Sequence, residues 1–203
     1  MAQGYLDVAG VMMVALDRDG RVKLINRKGD ELLGDAAEEI KDKDWFDNFI
    51  PPGNRAGARA RFLRLMSGEV KPEGCFENPV LTGSGGEKGI LWNDTVLKER
   101  GRITGTLSSG EDITVRKKTE KALIESETRY RLIHDTAFDA IIVSDAGDRV
   151  IDCNPSAEKI FGYTRDELIG LELTRMMPEK YRERHHIGLE RFLATGISKV
   201  QVS

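Results

Sequence analysis

The chain repeats itself, and this duplication constrains its fold more than any other feature of the sequence. Segments 14–26 and 142–154 align without a gap, with Asp17 opposite Asp145, an offset of 128 residues. Identical residues also meet at Arg21/Arg149, Val22/Val150 and Asn26/Asn154, and the same offset pairs Gly34 with Gly162. Chance rarely aligns a polar turn together with its apolar flanks. The chain therefore contains two copies of one structural unit.

Each copy begins with an apolar strand, turns at a segment rich in Asp and Gly, and returns as a second strand. In residues 17–20 and 145–148, these residue types supply the side-chain caps and positive φ angles that hairpin turns require. Short helical segments follow, and Gly34 and Gly162 are typical of helix C termini. Thr164 and Glu167 have the spacing of a capping box that opens the next short helix.

The first copy continues with a helix over residues 55–66, whose arginines are expected mostly on its solvent side. Three strands are predicted after it, over 74–82, 89–98 and 102–114. This order predicts an α+β fold with a five-stranded antiparallel sheet and helices on one face. Residues 1–114 are expected to form a complete first domain. Residues 138–203 are expected to form only the N-terminal part of a second domain, because the last three strands have no counterpart in the sequence after Gly196.

Residues 115–137 connect the two copies and are rich in Lys, Glu, Arg and Ala, without Gly or Pro, which predicts a helix. Its apolar side follows a 3-4-3-4 spacing through Leu123, Ser126, Tyr130, Ile133 and Ala137, as in a coiled-coil seam. The spacing predicts a homodimer that forms through this connector helix. A single amphipathic helix that lies on its own domain would show the same pattern.

Charge and composition exclude several classes of function. The formal net charge is −3, without the broad basic face that nucleic-acid binding needs. Cys75 and Cys153 lie far apart, so neither a zinc site nor a disulfide framework is indicated, and a reducing, cytoplasmic compartment is expected. The longest apolar stretch, residues 8–16, is too short to cross a bilayer, so no membrane insertion is expected here, although a longer parent protein could be membrane-anchored.

Two segments resemble the PAS domain family of sensory modules. Residues 105–114, with their Asp112-Ile113-Thr114 ending, are similar to the family's final strand, and residues 154–170 are similar to its first helices. The family occurs in tandem in bacterial and archaeal sensor histidine kinases. The resemblance implies a sensory input and signal-relay module of a two-component histidine kinase, acting on an output domain elsewhere in the parent chain. The alternative is a ligand-free dimerisation module that sets the geometry of a kinase, diguanylate cyclase or transcription regulator.

The resemblance also implies candidate site residues in the first domain. Trp92 and Asp94 alternate along one strand and are expected to face the ligand cavity, where they could stack on and hydrogen-bond a planar ligand such as a flavin. The competing interpretation is a core tryptophan beside a solvated aspartate. Asp112 and Thr114 lie where the last strand becomes the connector helix, and they are predicted to relay sheet movements to that helix. A plain N-cap would look the same.

In the second copy, residues 177–186 resemble the segment of oxygen-sensing haem PAS domains that carries the proximal histidine. His185 falls at that position and is a candidate haem ligand. The alternative is a surface or helix-capping histidine. The default expectation is no cofactor, with flavin and haem as the alternatives. No metal site and no catalytic set of residues appears, so the chain itself is expected to be non-enzymatic.

Overall fold

The computed structural model describes residues 9–72 and 74–196. Their contacts divide the chain into two compact units, residues 1–122 and 123–203. The predicted α+β class is confirmed, since the first unit contains a five-stranded antiparallel sheet of order β2-β1-β5-β4-β3. The strands are β1 (Met12–Asp17), β2 (Val22–Ile25), β3 (Cys75–Leu81), β4 (Glu87–Glu99) and β5 (Arg102–Asp112).

Four helices lie between the second and third strands. They are α1 (Arg27–Leu33), α2 (Ala37–Ile40), α3 (Trp45–Phe49) and α4 (Pro52–Met66). Together with the inner face of the sheet they bury one continuous apolar core that includes Val14, Phe46, Phe62 and Leu65. Isolated hairpins are only marginally stable in water. The unit is therefore stabilised mainly by the burial of apolar side chains in this core.

The repeated asparagine has a structural role in both units. Asn26 is fully buried, and its Oδ1 accepts hydrogen bonds from the backbone N–H groups of Met13 at 2.8 Å and Gly29 at 3.1 Å. Asn154, also fully buried, makes the matching bonds to Ile141 and Ala157, each at 2.9 Å. Each asparagine therefore caps a helix and fixes it to the start of a strand.

The repeated turns and caps also form as the sequence predicts. Asp17 Oδ1 accepts backbone N–H groups of Asp19 and Arg21, each at 3.0 Å, and Asp145 caps its own turn in the same way. Gly34 and Gly162 close their helices in the left-handed region, at φ 79° and 74°. The Thr164–Glu167 capping box is present.

A long helix, α5 (Thr114–Thr136), follows β5 within two residues, and the division between the two units falls inside it. The described part of the second unit then contains the hairpin β6 (Ile142–Ser144) and β7 (Val150–Cys153). It continues with α6 (Pro155–Phe161), α7 (Arg165–Leu168), a 3₁₀ helix (Leu173–Met176) and α8 (Glu179–Thr195). Within residues 123–196 the sheet has two strands, and no helix of the described residues is long and apolar enough to cross a membrane.

Candidate functional site

The first unit encloses a cavity of about 50 Å³ between the inner face of its sheet and helices α3 and α4. Most of its wall is apolar or aromatic. The polar lining residues are Arg61, Asn78, Asp94, Thr106 and Ser108. Trp92 and Asp94, the two candidate residues that the family resemblance implies, both line this cavity. Their binding of a ligand stays a prediction.

Trp92 is held firmly in the cavity wall. Its indole Nε1–H donates to the backbone carbonyl of Asn78 at 3.1 Å, and its ring meets the ring of Trp45 edge-on, with 5.8 Å between centroids. On β5, a Cβ added to Gly110 would lie 2.9 Å from Trp92 Cζ3, so glycine is needed opposite the indole. Trp92 is therefore part of the core as well as of the cavity wall.

Asp94 is not a solvated aspartate. Its Oδ1 accepts a hydrogen bond from Ser108 Oγ at 2.7 Å, and its Oδ2 lies 3.5 Å from Arg61 Nε. Only 10% of its side chain is exposed. These partners offset the loss of hydration that burial of a carboxylate entails.

Arg61 corrects the expectation that the arginines of α4 mostly face solvent. Its guanidinium lies over the ring of Phe76, with 3.9 Å from Cζ to the ring centroid, and its Nε is buried without a hydrogen-bond partner. Among the described residues, no hydrogen bond reaches its terminal amino groups. The sequence contains an indication of this inward position, because Arg61 falls on the same side of the helix as the apolar residues Ala58, Phe62 and Leu65.

The cavity shares part of its wall with a groove on the surface between α4 and β3, which we call the mouth. This shallow groove is lined by Gly53 and Gly57 of α4, and it shares a set of wall residues with the cavity. The shared residues are Ala58, Arg61, Phe76 and Asn78. Arg61 therefore lies where the interior meets the surface.

Asp112 and Thr114 tie the start of α5 to the β3–β4 hairpin. Asp112 Oδ1 accepts the backbone N–H of Thr114 at 2.9 Å, and its Oδ2 lies 3.4 Å from Lys88 Nζ. Thr114 Oγ1 accepts the backbone N–H of Gly89 at 3.0 Å. Burial by itself would raise the pKa of Asp112, but the bonds from Thr114 and Lys88 outweigh it and hold the pKa below its ordinary value.

A second tie was not predicted from the sequence. Lys117, one turn further along α5, forms an ion pair with Glu77 of β3. Glu77 lies between Phe76 and Asn78, the two β3 residues that line the mouth of the cavity. Strand β3 therefore carries both a wall of the cavity and a contact to the long helix.

In the second unit, His185 is neither a surface residue nor a helix cap. Its Nε2 lies 2.8 Å from Oδ1 of Asp148, which is buried and has a positive φ of 62°. The pair ties α8 to the turn of the β6–β7 hairpin. Coordination of haem iron through Nε2 would require this contact to break. Haem binding by His185 stays a prediction.

The end of α5 is anchored within the second unit by Asp152 of β7. Tyr130 Oη donates to Asp152 at 3.2 Å, and the Arg165 guanidinium lies 2.7 Å from the same carboxylate. Burial would raise the pKa of Asp152, but Arg165 and Tyr130 hold it below its ordinary value. His134 stacks on Tyr130, and its buried Nε2 lies 3.7 Å from Asp152. Tyr130, predicted as a seam residue, thus has a partner inside its own unit.

Comparisons with known proteins agree with this architecture. Two family models described as the PAS fold match residues 6–118 and 128–200. The chain belongs to the PAS family, and each of its two units is a PAS-type sensory domain or a part of one.

Two curated relatives are signalling proteins. Sensor histidine kinase TmoS of Ectopseudomonas mendocina is 28% identical over 181 residues, which cover 89% of this chain and 17% of the relative. Sensor protein FixL of Bradyrhizobium diazoefficiens is 37% identical over 84 residues, covering 41% of this chain and 17% of the relative. The chain thus spans less than a fifth of the length of either.

Among solved structures, an RNA-binding light-oxygen-voltage receptor superposes with a TM-score of 0.50 at 16% sequence identity. The likeness covers 63% of this chain and 36% of the receptor. At that identity the likeness concerns the fold alone.

Proposed function

We propose that this chain is the sensory input and relay segment of a larger cytoplasmic sensor histidine kinase, and that it has no catalytic activity itself. The observation that carries the proposal is the double attachment of α5 to the cavity wall. Strands β3 and β4 line the cavity, and the same strands hold the start of α5 through Asp112, Thr114 and Lys117. A movement of the strands that line the cavity would therefore be transmitted through these side-chain contacts to α5, the helix that follows the domain.

Such a relay needs two states of the β3–β4 hairpin that differ in their affinity for the ligand. In one state the polar ties to α5 are those described above. A ligand that moves Phe76 or Asn78 outward would carry Glu77 with them and change the pull on Lys117. The direction of α5 would then report occupancy of the cavity to the output domain.

The size of the cavity limits the ligand. Pockets for drug-sized molecules occupy about 300–1,000 Å³, whereas this cavity measures about 50 Å³. A flavin does not fit these residues, and the indole N–H of Trp92 is already bound to Asn78. We therefore propose a small molecule as the signal, rather than a flavin in the first unit.

A ligand-free dimerisation module is the second candidate, and the exposed apolar residues of α5 favour it. Leu123 and Ile133, both on the predicted seam, are 60% and 61% exposed. Burial of such side chains between two copies of α5 would stabilise a parallel or antiparallel coiled coil. Both candidate functions involve a homodimer, and they differ in whether the cavity binds a ligand.

The test uses the intact parent kinase. Replacement of Asp112 by Ala and of Lys117 by Ala should each uncouple autophosphorylation from the input signal, because each removes one tie between α5 and the hairpin. Lys118→Ala, a neighbouring exposed lysine, serves as the matched control and should leave regulation intact. Unchanged regulation in both test variants would refute the relay.

A further inference from the structure

We propose that His134, in the last turn of α5, makes the second unit respond to protons. Protonation of its imidazole would join the end of α5 to Asp152 of β7, and loss of the proton would release this contact. Protons would thereby act on α5 without entering the cavity of the first unit, so this regulation is additional to the sensory function proposed above.

The position of His134 suits a pH-dependent contact. Within α5, all of whose residues the structure describes, His134 alone is buried, with 5% of the residue exposed. Its ring stacks on that of Tyr130, with 5.3 Å between the centroids and 26° between the planes. Histidine is the side chain whose charge ordinarily changes between about pH 5 and pH 8. A change of charge at His134 would therefore fall at the place where α5 packs on its own unit.

The two ring nitrogens of His134 each face a carboxylate. Nδ1 lies 3.0 Å from Asp135 Oδ1. Since an ionised carboxylate only accepts hydrogen bonds, Nδ1 carries the hydrogen of the neutral ring, and Nε2 is an acceptor. This Nε2 is buried without a hydrogen-bond partner among the described residues, and it lies 3.7 Å from Asp152 Oδ2, which is also an acceptor. The neutral ring leaves a buried polar atom unsatisfied, whereas a protonated ring presents an N–H group to Asp152.

A positive charge on His134 would enter a site with a net negative charge. The charged residues that line the surface groove beside its ring are Glu127, Arg131, Asp135, Asp152 and Arg165. These are three carboxylates and two guanidinium groups, with a formal charge of −1. Arg165 lies 2.7 Å from Oδ1 of Asp152, and Tyr130 Oη donates to Oδ2 at 3.2 Å. Because a carboxylate oxygen can accept two hydrogen bonds, Oδ2 can still take one from His134.

Protonation would draw the last turn of α5 toward β7. A hydrogen bond between a charged N–H group and a carboxylate is about 2.7–2.9 Å long, whereas the distance from His134 Nε2 to Asp152 Oδ2 is 3.7 Å. The helix end would therefore approach the strand by about 1 Å. Stability from this bond is present while His134 is protonated and is lost as the pH rises and the proton leaves. It is also lost at a pH low enough to protonate Asp152, whose pKa lies below its ordinary value.

The experiment is amide hydrogen exchange of the full chain at pH values from about 5.5 to about 8, the range in which histidine titrates, with correction for the intrinsic rate at each pH. Protection of the amides in the last turn of α5, with Asp135 and Ala137 as reporters, should be about tenfold higher at the acid end, as expected for one charge-assisted hydrogen bond. The amides of β4 are the internal reference, because the first unit contains no histidine.

Variants assign the response to His134. His134→Gln cannot gain the proton, so protection of the last turn should no longer change with pH. Asp152→Asn keeps the histidine and removes the charged acceptor, so it should lose the response as well. His186→Gln is the matched control, since His186 is an exposed histidine of the same unit, and it should keep the tenfold change. If circular dichroism shows that His134→Gln does not fold, Asp152→Asn and His186→Gln decide the question.

The outcomes concern the proton response alone. A response that is lost in His134→Gln and Asp152→Asn and kept in His186→Gln supports the bridge between α5 and β7. Constant protection across the pH range in the unmodified chain would overturn it, and so would a response that persists in His134→Gln or in Asp152→Asn. None of these results would affect the relay through Asp112 and Lys117, which the variants of the parent kinase test separately.

Discussion

The two units begin with the same local structure and differ in what they build on it. In each, an aspartate caps the hairpin turn, a buried asparagine fixes the first helix, and a glycine in the left-handed region ends that helix. The helices that follow diverge in their packing. Helix α4 buries Phe62, Leu65 and Met66, whereas no residue of α8 is buried. The comparison shows that turns and caps need only local sequence, while burial of a helix face needs a sheet beneath it.

The largest expected difference concerns Phe62 of α4 and Phe192 of α8, which stand in the similar segments Arg61-Phe62-Leu63 and Arg191-Phe192-Leu193. Phe62→Ala should lower the free energy of unfolding of the first unit by about 3–5 kcal/mol, because it leaves a cavity in a packed core. Phe192→Ala should change that of the second unit by less than about 1 kcal/mol, since Phe192 is 45% exposed. Urea unfolding followed by residue-resolved amide exchange measures both. Equal losses would show that the two helices are packed alike.

Replacement of the repeated asparagines should destabilise the two units equally, in contrast to replacement of the phenylalanines. Asn26→Ala and Asn154→Ala each remove an acceptor for two backbone N–H groups, so each should destabilise its unit by about 2–3 kcal/mol. Asn26→Asp keeps the acceptor, but it loses the donor to Val11 and places a carboxylate in a fully buried site, so it should not restore stability. Amide exchange at Gly29 and Ala157 reports the two sites separately. A loss at only one of them would contradict the shared role.

The smallest expected effect is at acid pH. Asp112 in the first unit and Asp152 in the second have pKa values held below the ordinary value of 3.8. Stability from such a group is present above the unfolded-state pKa and is lost as the pH falls through the folded-state pKa. Both units should therefore lose stability below about pH 4, with each site contributing less than about 1 kcal/mol because it is partly exposed.

Asparagine variants separate the two acid effects. Asp112→Asn should flatten the acid loss, measured as urea midpoints from pH 6 to pH 2.5, in the first unit only. Asp152→Asn should do so in the second unit only, so each variant is the control for the other. An acid loss that neither variant changes would assign it to other carboxylates.

The sequence by itself determined the duplication, the hairpin turns, the helix caps and the fold class, because these depend on residues close together in the chain. Strand alternation also placed Trp92 and Asp94 on one face of β4, since the period of a strand is fixed at two. The family resemblance implied that this face meets the cavity. Periodicity identifies the face of an element, but it does not identify the neighbour that the face meets.

Only the tertiary structure decided those neighbours. The contacts Arg61–Phe76, Glu77–Lys117 and Asp148–His185 join residues on different elements, and each depends on how those elements pack. Arg61 shows the limit most clearly. From the sequence, a long arginine side chain on the apolar side of a helix could extend into solvent or lie at the edge of a cavity. The aromatic ring and the carboxylate that hold it at the cavity belong to strands later in the chain.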